Sequence, residues 1–175
     1  MSPSRLVFLA LLATPIAATA SAQDAGRDAA APSLEVRTDP GVPYHCFAVA
    51  VDPLAAFFGE YGLRVEGTAG AAHSLWARPA YLSLDDASAL GLEVGYRLWP
   101  FADGLDGPFI GPAASLAVTT DRIVTASASL EAGWQWVWEG IVLGASAGAT
   151  LATTPAYQHT AVSPRVTVSL GYAWM

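Results

Sequence analysis

Apolar and polar residues alternate through most of the chain after about residue 44, and the last stretch shows it most plainly. In Ser163–Met175, Val166, Val168, Leu170, Tyr172 and Trp174 fall on one face. Arg165, Thr167, Ser169, Gly171 and Ala173 fall on the other. Side chains of a strand alternate sides, so this segment reads as a strand with one apolar and one polar face.

The same reading divides the rest of the chain into seven more strands. A first strand over Tyr44–Val51 is broken by Asp52-Pro53, because proline removes a ladder donor. Phe57–Glu66 resumes the alternation, with Phe57, Tyr61, Leu63 and Val65 opposite Phe58, Glu60, Gly62, Arg64 and Glu66. After a turn at Gly67–Ala72, His73–Ser83 forms the third strand. Arg78 there shares the polar side with Trp76 and Ala80, which the sequence alone reconciles with a bulge at Pro79. Ser83–Leu90 reads as a loop. Gly91–Phe101 is the fourth strand, with Leu92, Val94, Tyr96 and Leu98 set against Glu93, Gly95, Arg97 and Trp99.

Pro100 to Pro108 is dense in breakers. The fifth strand covers Phe109–Val118, a loop covers Thr119–Thr125, and Ala126–Trp138 is the sixth strand. Leu130, Ala132, Trp134, Trp136 and Trp138 line one of its faces. Glu139-Gly140 makes a tight turn into Ile141–Leu151, and Thr153–Ser163 is the loop before the closing strand. Eight antiparallel strands, an even number, are the expectation.

Composition adds a leader and excludes several classes. Arg5, the apolar run Leu6–Leu12 and Ala20-Ser21-Ala22 have the order of a secretory signal peptide, residues 1–22, cut before Gln23. Residues 23–43 carry Pro32, Pro40, Gly41 and Pro43 without periodicity and read as a flexible N-terminal segment ahead of a domain at 44–175. The chain is 53% hydrophobic with mean hydropathy +0.39, yet no stretch after the leader has 18 uninterrupted apolar residues. Spanning helices are therefore not expected. A soluble β domain with a large core, or a barrel whose apolar face meets lipid, remains. A net charge of −7 without a basic cluster argues against nucleic acid. Cys46 is the one cysteine, so no intrachain disulfide forms, and its apolar setting predicts a buried thiol.

The charges choose between those architectures. By parity, Glu60, Arg64, Glu66, Arg78, Glu93, Arg97, Glu131 and Arg165 all share the face opposite the aliphatics, four of each sign. A closed interior needs that balance, because an unpaired buried charge costs several kcal/mol. All 8 basic residues of the chain are arginine, whose planar fork suits such networks. Gly62, Gly95, Gly133, Gly144, Gly148 and Gly171 make room on the same face. Aromatic groups end the fourth, sixth and eighth strands, at Trp99-Pro100-Phe101, Trp136-Val137-Trp138 and Tyr172-Ala173-Trp174. Even-numbered strands of such a barrel end at one level, where an interfacial belt of aromatics belongs.

Asp52-Pro-Leu-Ala-Ala-Phe-Phe-Gly-Glu-Tyr61, Leu63-Arg-Val-Glu66, Gly91-Leu-Glu-Val-Gly-Tyr-Arg97, Gly107-Pro-Phe-Ile-Gly-Pro112, Glu131-Ala-Gly-Trp-Gln-Trp136 and Ser169-Leu-Gly-Tyr-Ala-Trp174 together resemble a family of small eight-stranded outer-membrane barrels of OmpA/OmpX-like architecture. The resemblance covers about Tyr44 to Met175. It implies an all-β, eight-stranded antiparallel up-and-down transmembrane β-barrel in the outer membrane. Outer-membrane lipid and the assembly machinery that reads the C-terminal strand are the implied partners. Aspartate stands before Pro53 where the family tends to have asparagine, and Met175 follows the terminal aromatic.

No catalytic chemistry is expected. A serine hydrolase needs serine, a histidine base and an orienting acid. Past the leader the histidines are His45, His73 and His159. Ser163 lies near His159, but no carboxylate follows it. His45 and Cys46 point to opposite faces of a strand, so they do not pair on a metal. Asp85-Asp86 could hold a cation loosely, but an acidic loop reads as solvated, and no phosphate-binding glycine loop is present in a strand–helix setting. No catalytic, cofactor or metal residue is therefore assigned, and a monomer is expected. The leading reading is a structural or surface-interaction barrel without an open pore, since side chains fill an eight-stranded interior. A lipid hydrolase or acyltransferase barrel, and a soluble periplasmic β protein binding a lipid or small ligand, are the alternatives.

Overall fold

The computed structural model describes residues 45–70, 72–84, 87–101 and 104–175. The leader at 1–22, the segment at 23–43, Tyr44 and the pair Asp85-Asp86 lie outside the described residues. The strands are β1 Phe47–Val51, β2 Glu60–Thr68, β3 His73–Leu84, β4 Ala87–Leu98, β5 Gly107–Thr119, β6 Val124–Trp138, β7 Ile141–Thr154 and β8 His159–Trp174. Each pairs antiparallel with the next, and β8 returns to β1 with Val49 opposite Tyr172, closing an eight-stranded up-and-down barrel. Closure leaves no edge along the paired rungs. The end where Phe47 meets Trp174 is called the terminal end below, and the opposite one the far end.

Alternation sets the two faces as expected. In β6, Leu130, Trp134 and Trp136 are exposed while Glu131 and Gln135 are buried. At the terminal end Glu139 (φ 51°) and Gly140 (φ 86°) make the tight β6–β7 turn, with positive φ at both central positions. That geometry matches the right-handed twist of the strands it joins.

Several expectations about boundaries are corrected. Phe57 is not in a strand: Pro53–Phe57 is a short helix, α1, capped by Asp52, whose Oδ1 accepts from the Ala55 N–H at 2.9 Å. An Asp-Pro pair is a break for a strand and equally a start for a helix, with a capping acceptor followed by a preset φ. No bulge forms at Pro79. β3 and β4 stay in one register from His73↔Leu98 to Leu84↔Ala87, with Pro79 opposite Leu92. On the β2 side the ladder lacks the rungs at Leu63 and Arg64, so the missing proline donor is absorbed by a gap rather than an extra residue.

The expected loops at Ser83–Leu90 and Thr153–Ser163 are mostly strand. Ser83 pairs with Ser88, and Thr153 with Thr160 beyond a single 3-10 turn at Pro155–Tyr157. Serine and threonine resemble loop residues in composition, but here they continue ladders. Cys46 is exposed, not buried. It precedes β1 at the terminal rim, and in a barrel with an apolar exterior an apolar neighbourhood does not mean burial.

The strand lengths are uneven. β1 has 5 residues and β8 has 16. Their shared ladder ends at Val51↔Leu170, where the chain turns into α1, while β8 runs on toward the far end paired to β7 alone.

Candidate functional site

The barrel interior holds the polar residues that parity had gathered, in layers along its axis. At the terminal end Ala48, Trp99, Leu105, Phe109, Val142 and Ala173 form an apolar cork. Leu105, two residues before β5, is fully buried in the barrel mouth. Its carbonyl accepts from Gln135 Nε2 at 2.8 Å. Trp99 is 1% exposed and donates through Nε1 to Ser74 Oγ at 2.9 Å. It was expected in the aromatic belt. One residue past β4, it stays in phase with Glu93 and Arg97, and that turns it inward.

Above the cork lies an ionic layer around Arg97. Its Nη1 donates to Glu66 Oε2 at 2.9 Å, and its Nε and Nη2 donate to Glu131 Oε1 at 3.0 and 2.8 Å. The guanidinium also stands 4.0 Å from the Phe109 ring centroid and 5.7 Å from that of Trp76. Ser74 donates to Glu66 Oε1 at 2.7 Å and Ser146 to Glu131 Oε2 at 3.1 Å, so all four carboxylate oxygens accept a hydrogen bond. Such saturation is what keeps a buried pair from costing more than it returns.

Toward the far end, Glu93 joins Arg78 and Arg165, and Arg78 reaches on to Glu60. Thus all eight charges expected to face inward do so. Hydroxyl pairs complete the far-end interior, Ser115 with Ser127 at 2.7 Å and Thr125 with Thr154 at 3.0 Å. Gly95 leaves space for the Trp76 indole opposite it, since a Cβ there would lie inside the indole's own volume.

Arg64 differs from the other three interior arginines. Its Nη2 donates to the neutral amide of Gln135 at 3.2 Å, and its Nε lies 3.6 Å from Glu66 Oε2, too far for a hydrogen bond. Arg64 Nε and Trp76 Nε1 are buried donors without a hydrogen-bond partner. Both line a small, partly open recess with room for about one water molecule. The recess lies where β1 and β8 part, between Ala50–Asp52 on one side and Thr167–Ser169 on the other. Parity had put Arg64 and Trp76 on the polar face. The recess depends on the unequal lengths of β1 and β8, which no local pattern encodes.

The histidines are scattered. His73 is hydrogen-bonded through Nδ1 to Tyr96 Oη at 2.6 Å on the outer face, near the terminal end. His159 is exposed at the start of β8, as is Ser163 four residues on. His45 Nδ1 is buried without a hydrogen-bond partner at the terminal rim. Among the described residues no group of three His, Cys, Asp or Glu side chains is placed to hold a metal ion. No protein-family profile, curated protein or solved structure matches this chain.

Proposed function

We propose that this chain is an exported outer-membrane β-barrel with a structural or surface-interaction role, neither conducting solutes nor acting as an enzyme. The observation that carries the reading is the inversion of its surfaces. Glu66 and Arg97 are each 1% exposed, whereas Leu75, Leu90, Leu92, Leu116, Leu130, Trp136 and Val166 are each more than half exposed. A protein in water buries the second group and displays the first. A barrel in hydrocarbon does the reverse, with apolar residues out and polar residues in.

Aromatic placement supports the same reading. Tyr172, Trp174 and Phe47 cluster on the outside of the terminal end, and Trp134, Trp136 and Trp138 approach that end from β6. Phe101 is exposed beyond the end of β4. Together they form the kind of girdle that anchors a barrel at an interface. The corked mouth and the ionic layers argue against conduction, since side chains fill the bore of an eight-stranded barrel. The OmpA/OmpX-like likeness and recognition of the closing strand by an assembly machinery belong to this proposal.

Fractionation tests it. The protein is expected in the outer-membrane fraction, released only by detergent. On a denaturing gel it should run differently before and after boiling. Recovery from the soluble periplasm without detergent would overturn the reading.

A further inference from the structure

We infer that Arg165 is a clasp. It holds shut a stretch of barrel wall that backbone pairing leaves open, and its release lets the β7–β8 ribbon swing away from β2.

The opening follows from strand length. β1 stops at Val51, opposite Leu170, while β8 reaches back to His159 at the far end. Ala173 N donates to the Gly140 carbonyl, and the β7–β8 register continues unbroken from there to Thr154↔His159. Backbone bonding in an antiparallel ladder alternates sides, so every second residue of β8 turns its amide and carbonyl away from β7. Beyond Leu170 these are Val168, Val166, Pro164, Val162 and Thr160. Among the described residues none of them meets a backbone partner on that side. α1 packs against β8 and β2 there but forms no backbone hydrogen bond with β8. Pro164 falls in this set, where its missing N–H costs no ladder bond and makes the edge a poor acceptor for an added strand. The β1–β2 ladder also ends at Val51, opposite Leu63, with β2 starting at Glu60. The far half of the barrel is therefore a curved sheet whose two edges, β8 and β2, face each other across a gap.

Side chains supply the tie that the backbone does not. Arg165 reaches from β8 to β4, four strands away around the barrel. Its Nη2 donates to Glu93 Oε2 at 3.0 Å and its Nη1 to Glu93 Oε1. Glu93 stands opposite Arg78 of β3 and accepts from its Nε at 3.0 Å, and Arg78 pairs in turn with Glu60 at the start of β2. The chain of charges thus runs from one edge of the gap to the other. Among the described residues no other side chain of β8 bonds to β2, β3 or β4. The side chains of Arg165 and Glu93 are 17% and 6% exposed, so salt screens their pair little. A forked arginine–carboxylate contact fixes orientation as well as distance, and so holds the ribbon in one position.

The width of the gap tests the clasp. In the full mature chain with Cys46→Ser, folded in micelles of an uncharged maltoside detergent, nitroxide labels are placed at Tyr61→Cys and Val166→Cys. These are exposed outer-face positions on the two edges, and pulsed electron spin resonance reads the distance between them. Tyr81→Cys and Val118→Cys form the control pair, two strands apart at the level of Tyr61 across the intact β3–β4–β5 ladders. Arg165→Gln is expected to lengthen the Tyr61–Val166 distance by about 5 Å, one strand spacing, and to leave the control pair unchanged. Arg165→Lys keeps the charge but lacks the planar fork, and is expected to lengthen it less. Glu93 still holds Arg78 in both variants, so its carboxylate is not left alone. An unchanged Tyr61–Val166 distance in Arg165→Gln refutes the clasp. Equal lengthening of the control pair also refutes it, because the whole barrel would then have loosened. If Arg165→Gln does not fold by the boiling-dependent gel shift, Arg165→Lys carries the test, and no lengthening there refutes the clasp.

Discussion

Arg97→Met isolates the cost of the ionic layer. The side chain it replaces donates three hydrogen bonds to Glu66 and Glu131, which are 1% and 3% exposed. Methionine fills much of the volume and keeps contact with Phe109 and Trp76, so the main loss is electrostatic. Removing one partner of a buried pair leaves an uncompensated charge and costs about 3–5 kcal/mol. With a urea slope of about 2 kcal/mol/M, a loss of about 4 kcal/mol lowers the unfolding midpoint by about 2 M. Tryptophan fluorescence in lipid vesicles reports the transition, and the boiling-dependent gel shift confirms that the barrel formed. The companion variant Arg97→Met/Glu131→Gln removes one charge of each sign, leaves Glu66 beside Arg64, and is expected to recover most of the loss, because neutralised buried pairs approach parity with apolar ones. Equal midpoints for wild type and Arg97→Met would refute the claim that this layer is dry. A double variant as unstable as the single one would show that shape, not charge, governs the site.

Three further outcomes follow from the same geometry. Trp136→Arg puts a charge on the outer face and should cost about 1–4 kcal/mol in vesicles depending on depth; assembly at wild-type stability would argue that Trp136 does not meet lipid. Trp99→Ala empties the centre of the cork and should cost about 3–5 kcal/mol in the same urea assay, and a loss below 1 kcal/mol would mean the cork is loosely packed. Asp52→Ala removes the cap of α1 and should cost about 0.5–2 kcal/mol, read as faster amide exchange at Ala55 and Ala56, with the barrel strands unchanged.

How far the sequence could be read depended on whether a feature was local. Parity along β6 and β8 needs only neighbouring residues, so Glu131, Gln135 and Arg165 were placed inward without knowledge of their partners. Partner choice was hidden. Arg97 is joined to Glu131 across 34 residues, and Arg165 to Glu93 across 72. Trp99 shows the conflict between two local rules: its phase with Glu93 and Arg97 turned it inward, while its place just past a strand end matched an interfacial aromatic. Packing against Phe109, at 5.1 Å between ring centroids, decides for the interior. Pro79 misled in the other direction, because a proline inside a strand signals a bulge only when its neighbour on that side needs the bond. The recess beside Arg64 was not legible at all, since it arises from where one strand stops and another continues.

The cork also bears on the order of assembly. Its side chains come from β1 (Ala48), from the end of β4 and the segment after it (Trp99, Leu105), and from β5, β7 and β8 (Phe109, Val142, Ala173). Ala48 and Ala173 face each other across the seam that joins the two ends of the chain. Until that seam zips, the cork lacks the wall that Ala48 and Ala173 supply, and on that side Trp99 and Leu105 stay open to water. Completing the cylinder and drying its mouth are therefore one cooperative event. A chain halted with the seam open is hydrated through its centre, and Trp99, by passing from water into the plug, marks the moment of closure.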